Sequence, residues 1–149
     1  IRNEVYGGKT DVLKTVLYAM YHETSEVMTG DLPTPVKYYN RSIHGAYKQL
    51  EKSACEKITD MLPEELKKGI APFVLADEDS EEYRLVKAAD RLSAYIKCLE
   101  ELRSGNSEFS KAKKSIEADL RSRHMPEVEY FFENFIPSFS LTLDELEGF

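Results

Sequence analysis

The chain has 149 residues, 42% of them hydrophobic and 32% charged, and 27 acidic against 20 basic residues give it a formal net charge of −7. This composition is ordinary for a globular protein and excludes intrinsic disorder, so we expect a single domain over residues 1–149. The negative charge opposes binding to nucleic acid or to anionic lipid, and no segment reaches 18 consecutive apolar residues. We therefore predict a cytoplasmic protein with neither nucleic acid nor membrane as a partner.

Apolar residues recur at helical spacing in every segment, and none shows the alternation of a strand. The caps, glycines and prolines divide the chain into helices over residues 11–30, 43–61, 63–74, 80–103 and 107–124, another from Pro126, and a last turn after Thr142. The sequence therefore predicts an all-α fold. Cys55 and Cys98 are too few for a disulfide framework and are expected to be reduced structural thiols.

In the first predicted helix the apolar residues share one stripe, which we expect to be buried; its members are Leu13, Val16, Leu17, Met20 and Val27. The polar end of this helix carries His22, Glu23 and Glu26. Because His22 and Glu26 are four residues apart, a continuous helix would place them on one face. Gly30 then ends the helix, and a stiff loop with Pro33 and Pro35 follows.

Imidazole and carboxylate groups are the ligands of first-row divalent metals, so His22, Glu23 and Glu26 form a candidate site. Asp90 is a further candidate, because it lies off the apolar stripe of its helix among small and apolar residues. Plainer interpretations stay open. His22 alone is typical of a structural histidine, and Asp31 is typical of a residue that caps a turn. Asp90 is explained equally well by pairing with Lys87, with Lys97 or with an arginine elsewhere in the chain.

The stretch 19–38, with its Tyr-His-Glu-Thr-Ser-Glu-Val-Met-Thr-Gly-Asp-Leu-Pro-Thr-Pro core, resembles a motif of the bacterial HD-domain 5'-deoxynucleotidases, the YfbR-like family of the HD phosphohydrolase superfamily. Residues 85–90, 95–102 and 135–139 resemble later parts of the same family in the same order. The resemblance covers almost the whole chain. It implies the all-helical HD-domain bundle and metal-dependent removal of the 5'-phosphate from deoxyribonucleoside monophosphates.

By this resemblance, His22, Glu23 and Asp90 are metal ligands, Glu26 lies near the attacking water, and Asp31 lies on the substrate side of the pocket. The mixed nitrogen and oxygen ligands suit Co, Mn, Ni, Fe or Zn. The family also implies a homodimer. The alternative is a catalytically impaired HD module that binds nucleotide or metal without turnover. A phosphohydrolase acting on triphosphates or alarmones is disfavoured by the resemblance of the Asp31 loop.

The chain departs from the family pattern in two places. The eponymous His-Asp pair is His22-Glu23, and glutamate carries its carboxylate one methylene further out, which changes metal geometry or preference. The family's first metal-binding histidine and a substrate contact correspond to positions before Ile1. We therefore expect a bundle lacking its N-terminal helices and a metal site with one ligand missing.

Overall fold

In the computed structural model, which describes residues 1–32, 40–142 and 145, every regular element is a helix. The helices are α1 Val12–Tyr21, α2 Glu26–Thr29, α3 Arg41–Asp60, α4 Glu64–Val74, α5 Glu81–Arg103, α6 Phe109–Ser122 and α7 Pro126–Asn134, followed by a 3₁₀ helix, Ile136–Ser140. The prediction of an all-α fold is confirmed. The prolines of the predicted stiff loop lie outside the described residues, as does most of the predicted last turn.

The helix starts follow from side chains that can receive the free N–H groups of a first turn. The Asp11 carboxylate accepts a hydrogen bond from the backbone N–H of Lys14 at 3.0 Å, and the Asn40 side chain accepts from that of Ile43 at 2.8 Å. Pro126 opens α7, where its missing N–H costs nothing and its ring presets the helical φ. No helix in the described part of the chain is both long and apolar enough to cross a bilayer.

The chain divides into two compact units, which we call the terminal unit (Ile1–Thr10 and Leu85–Phe149) and the middle unit (Asp11–Arg84). The terminal unit has a continuous apolar core between α5, α6 and α7, made of Ala88, Leu92, Tyr95, Leu120, Val128 and Phe132. Leu120 and Val128 are fully buried, and the rings of Tyr95 and Phe132 meet edge to face at 5.1 Å. The aromatic residues of α7 therefore contribute to this core, in which Leu120 is completely enclosed.

In the middle unit, α1 and α3 both pack against α4, and the short α2 packs against α3. Tyr18 of α1 is only 3% exposed, and its ring meets those of Phe73 and Tyr83 edge to face. Its hydroxyl also accepts a hydrogen bond from the backbone N–H of Asp77 at 3.3 Å. Tyr18 is the anchor that fixes α1, because it joins one helix to three separate parts of the same unit.

The predicted buried stripe of α1 is wrong for most of its members. Leu13, Val16, Met20 and Val27 are all exposed, and Met20 is exposed to 69%. The helix turns its opposite side inward because Tyr18, with a larger apolar ring and a hydroxyl that needs a partner, lies on that side. Spacing identified two faces of α1 correctly but could not tell which of them packs within the unit.

The prediction of one continuous helix over residues 11–30 is also wrong. Helix α1 ends at Tyr21, and the next residues form turns in which Thr24 N–H bonds to Tyr21 O and Glu26 N–H to Glu23 O. The Thr24 hydroxyl donates to the same Tyr21 carbonyl at 2.7 Å, so a side chain competes for a group that a helix would use. His22 and Glu26 therefore do not follow the spacing of a single helix.

Candidate metal centre

His22 caps the C-terminal end of α1, still in helical conformation at φ −65° and ψ −18°. Its Nδ1 lies 2.7 Å from the backbone carbonyl of Ala19, three residues earlier. A carbonyl oxygen can only accept, so Nδ1 carries the proton and, in the neutral ring, Nε2 presents a lone pair. This arrangement fixes both the tautomer and the orientation of the ring in the way that metal-binding histidines require.

The Nε2 atom of His22 is buried and has no hydrogen-bond partner among the described residues. Oε1 of Glu23 lies 3.6 Å from this nitrogen, which is too far for a good hydrogen bond. A buried polar atom without a partner is costly, and binding of a cation would satisfy it. The donor set, an imidazole nitrogen beside a carboxylate, suits a first-row divalent metal.

The two proposed catalytic acids lie in the same unit, just after the His22-Glu23 pair. Glu26 begins α2 and is partly buried, whereas Asp31 is exposed and directly follows Gly30, which ends α2. Gly30 has φ +68° and ψ 166°, a conformation that is essentially restricted to glycine. The chain therefore changes direction between the two acids at a residue whose backbone conformation only glycine adopts readily.

Asp90, the remaining predicted ligand, lies on α5 in the terminal unit. Its Oδ2 is 3.6 Å from Lys87 Nζ, one turn earlier, and both side chains are 41% exposed. A pair this exposed contributes little to stability and does not fix the carboxylate. Asp90 is thus a half-exposed group with a weak partner, and its pairing with Lys87, which the sequence left open, is present.

Both cysteines are free thiols, as predicted. Burial raises the pKa of the Cys98 thiol and of the Cys55 thiol, which keeps them protonated and makes them poor nucleophiles and poor metal ligands. The candidate centre therefore depends on nitrogen and oxygen ligands. Sequence reasoning missed the Ala19 carbonyl, although a histidine at a helix end commonly bonds to a carbonyl three or four residues before it.

A helical chain with a histidine and a carboxylate side by side at a helix end fits the HD class of metal-binding phosphohydrolases. Residues 1–139 match the model of the family described as 5'-deoxynucleotidase YfbR-like. The chain belongs to this family. The resemblance identified from the residue 19–38 motif is confirmed.

Several curated relatives are similar over nearly all of the chain. The 5'-deoxynucleotidase YfbR of Escherichia coli (strain K12 / DH10B) is 52% identical over 149 residues, covering 98% of this chain and 74% of its own length. The 5'-deoxynucleotidase of Vibrio cholerae is 50% identical over 147 residues, covering 98% of this chain and 76% of its own length. The 5'-deoxynucleotidase VP0926 of Vibrio parahaemolyticus is 51% identical with the same coverage as the protein from V. cholerae.

Proposed function

We propose that this protein is a metal-dependent phosphohydrolase that removes the 5'-phosphate from deoxyribonucleoside monophosphates. Membership of a family named for this activity supports the reaction class. The observation that carries the metal dependence is the His22 ring, because its Nδ1 is committed to Ala19 while its buried Nε2 has no hydrogen-bond partner in the described structure. Such a nitrogen is ready to bind a metal without rearrangement.

His22 and Glu23 would supply two ligands, and we propose that Asp90 supplies a carboxylate to the same ion. Resemblance and ligand chemistry support the role of Asp90. Three ligands of this type leave coordination positions for further ligands, water and a phosphate oxygen, which suits Co, Mn, Ni, Fe or Zn. When bound, the metal would polarise the phosphate and make a bound water more acidic.

The two acids of the middle unit would then have different roles. Glu26 would orient the attacking water and accept its proton as the water oxygen bonds to phosphorus. The bond between phosphorus and the 5'-oxygen breaks in the same step, and the departing oxygen takes up a proton from Glu26 or from solvent to leave as the 5'-hydroxyl. Asp31, which is exposed, would hold the deoxyribose side of the substrate by accepting hydrogen bonds. No covalent intermediate is needed, because phosphoryl transfer is accelerated mainly by positioning and by electrostatic stabilisation of the transition state.

The substrate proposal is tested by measuring inorganic phosphate released from deoxyribonucleoside monophosphates, with each of the five metals added separately to chelator-treated protein. The matching ribonucleoside monophosphates and deoxynucleoside triphosphates serve as controls for the sugar and for the phosphate chain. We expect release from the deoxyribonucleoside monophosphates only in the presence of metal. If metal and nucleotide raise the melting temperature but no phosphate appears, the protein is a binding module and not an enzyme.

We further propose that residues 1–149 belong to one HD domain, that the protein is cytoplasmic, and that it forms a homodimer. The exposed side chains of Phe135 and Phe139, at the end of the terminal unit, support a subunit interface, because large aromatic residues are usually covered. Sedimentation velocity at several concentrations distinguishes the dimer from a monomer. Replacement of both phenylalanines by serine is expected to give a monomer.

A further inference from the structure

The backbone of Gly30 is held on both sides by hydrogen bonds within the middle unit. Its N–H donates to the carbonyl of Glu26 at 2.9 Å. Its carbonyl accepts from the Tyr47 hydroxyl at 3.1 Å and from the Thr29 hydroxyl at 3.0 Å. A carbonyl oxygen has two lone pairs, so both of its acceptor positions are used.

These contacts fix the residue that follows Gly30. The carbonyl of Gly30 belongs to the same planar peptide unit as the nitrogen and Cα of Asp31. Holding that oxygen therefore sets the direction in which the chain leaves α2 and the point from which the Asp31 side chain departs. The positive φ of Gly30 is one that other residues rarely adopt, so this turn requires a glycine before Asp31.

Of the two donors, Tyr47 is the one that ties the loop to a different element. Its side chain is buried on α3, a helix of 20 residues, whereas Thr29 belongs to the short α2 itself. The single hydroxyl proton of Thr29 is also shared with the carbonyl of Ser25 at 3.2 Å. Tyr47 therefore supplies a hydrogen bond from α3 to the backbone of Gly30.

We infer that Tyr47 is a positioning residue for the substrate, acting through the Gly30 carbonyl to hold Asp31 in place. The inference rests on the proposed function, in which Asp31 contacts the nucleotide. Tyr47 does not contact the reacting atoms in this account. Its loss should therefore weaken substrate binding and leave the chemical step largely intact.

The test compares Tyr47→Phe with Tyr95→Phe in the full-length protein. The two changes are matched, because each removes one hydroxyl from a buried tyrosine; that of Tyr95 donates to Glu117 at 3.3 Å in the terminal unit. With deoxyadenosine monophosphate and metal, Tyr47→Phe is expected to raise KM about threefold to tenfold, which corresponds to the loss of one typical hydrogen bond between Asp31 and the nucleotide. The kcat is expected to change less than about twofold. Tyr95→Phe is expected to leave KM unchanged.

A second matched pair tests the backbone. Gly30→Ala and Gly105→Ala both place a Cβ at a positive φ with no atom of the described neighbouring residues within 4 Å of it, so both impose backbone strain without a clash against that part of the chain. Only Gly30 directly precedes Asp31, so only Gly30→Ala should raise KM. Equal KM values for Tyr47→Phe and wild type, or equal rises in both tyrosine variants, would overturn the inference.

Nucleotide binding separates this inference from the proposed function. Equilibrium dialysis of deoxyadenosine monophosphate in the presence of chelator measures affinity where no turnover occurs. If the wild-type protein binds nucleotide but never releases phosphate, the proposed function fails, while weaker binding by Tyr47→Phe still supports the positioning role. If the wild-type protein releases phosphate and Tyr47→Phe binds as tightly as wild type, the positioning role alone is wrong.

Discussion

His22 is oriented by the main chain of its own helix, through the contact between its Nδ1 and the Ala19 carbonyl. A carboxylate partner at Nδ1 would make the ring more basic, whereas a carbonyl mainly fixes which nitrogen is protonated. The geometry therefore depends on α1 ending where it does. Substitutions that extend the helix past Tyr21 would turn the ring away from its present direction.

Replacing His22 removes the nitrogen that we propose as a metal ligand. We expect His22→Ala to lower the affinity for Mn²⁺ or Co²⁺ by at least about 100-fold, since loss of an outer partner of a ligand alone costs about 10 to 100-fold. Isothermal titration calorimetry measures the affinity, and far-UV circular dichroism checks the fold. His124→Asn, at an exposed histidine with φ +50°, is the control and should bind metal normally. Unchanged affinity in His22→Ala would contradict the assignment.

Glu23 is the position where the chain departs from the His-Asp pattern. Its side chain is 61% exposed and reaches Nε2 of His22 only at 3.6 Å, so it has room to reorient towards a metal. We expect Glu23→Asp to change the order of activities with the five metals, because the carboxylate then stands one methylene closer to the backbone. Phosphate release with each metal is the measurement. A variant with wild-type rates and metal order would show that Glu23 is not a ligand.

At the scale of elements, the helix starts and ends were largely readable from the sequence. Asp11 and Pro126 mark the beginnings of α1 and α7, as their chemistry predicts, and α5 ends just before Gly105. The end of α1 at Tyr21 could not be predicted from residue spacing. At this point the Thr24 hydroxyl donates a hydrogen bond to the Tyr21 carbonyl, which a continuous helix would use for its own backbone. The prediction that the apolar stripe of α1 is buried was wrong for another reason. Which face of a helix is buried depends on the elements that pack against it, and the sequence of α1 alone does not identify them.

The start of α1 is joined to the first turn of α5 by Glu82, and this contact is sensitive to pH. Glu82 accepts hydrogen bonds from Lys14 Nζ at 3.1 Å and from the backbone N–H of Asp11 at 3.4 Å. A hydrogen bond from its own backbone N–H, together with that from the Lys14 ammonium, lowers the pKa of Glu82. A lowered pKa in the folded state means that the carboxylate stabilises the fold above its unfolded pKa of about 4.3.

We therefore expect Glu82→Gln to be less stable than wild type at pH 7. The stabilising effect of Glu82 is lost as the pH falls through its folded pKa, so the difference between the two proteins should shrink when the pH is lowered from 7 to 3. Urea unfolding at both pH values measures the difference. Glu78→Gln is the control, since its pair with Lys48 is exposed on both sides and should contribute little at either pH. A constant difference between Glu82→Gln and wild type would contradict this role.

At the scale of the whole molecule, composition and periodicity were sufficient for the all-α class, and the motif at residues 19–38 was sufficient for the family. The metal-site prediction could not be derived as completely. His22 and Glu23 are neighbours in sequence, whereas Asp90 is 67 positions beyond Glu23 on another helix. Residue spacing within a helix does not tell whether residues so far apart in sequence are close in space. The role that we infer for Tyr47 could not be predicted either, because its position in the apolar stripe of its helix is typical of an ordinary core residue.

The core of the terminal unit should dominate its stability. Leu120 is completely buried among Ala88, Leu92, Tyr95, Val128 and Phe132. We expect Leu120→Ala to lower the free energy of unfolding by about 2–5 kcal/mol, because it loses apolar burial and leaves a cavity. Leu66→Ala removes the same atoms from an exposed position and should change it by less than about 0.5 kcal/mol. Similar effects of the two substitutions, measured by urea unfolding, would contradict the assignment of this core.

The most direct measurement is phosphate release from a deoxyribonucleoside monophosphate by full-length protein, first stripped of metal by chelator and then supplied with Mn²⁺ or Co²⁺. We expect no release after chelation, recovery on addition of metal in the wild-type protein, and no recovery in His22→Ala, provided that circular dichroism shows the fold of this variant to be intact. Release that persists in chelator, or equal recovery in the wild-type protein and in His22→Ala, would contradict a metal-dependent reaction that needs His22.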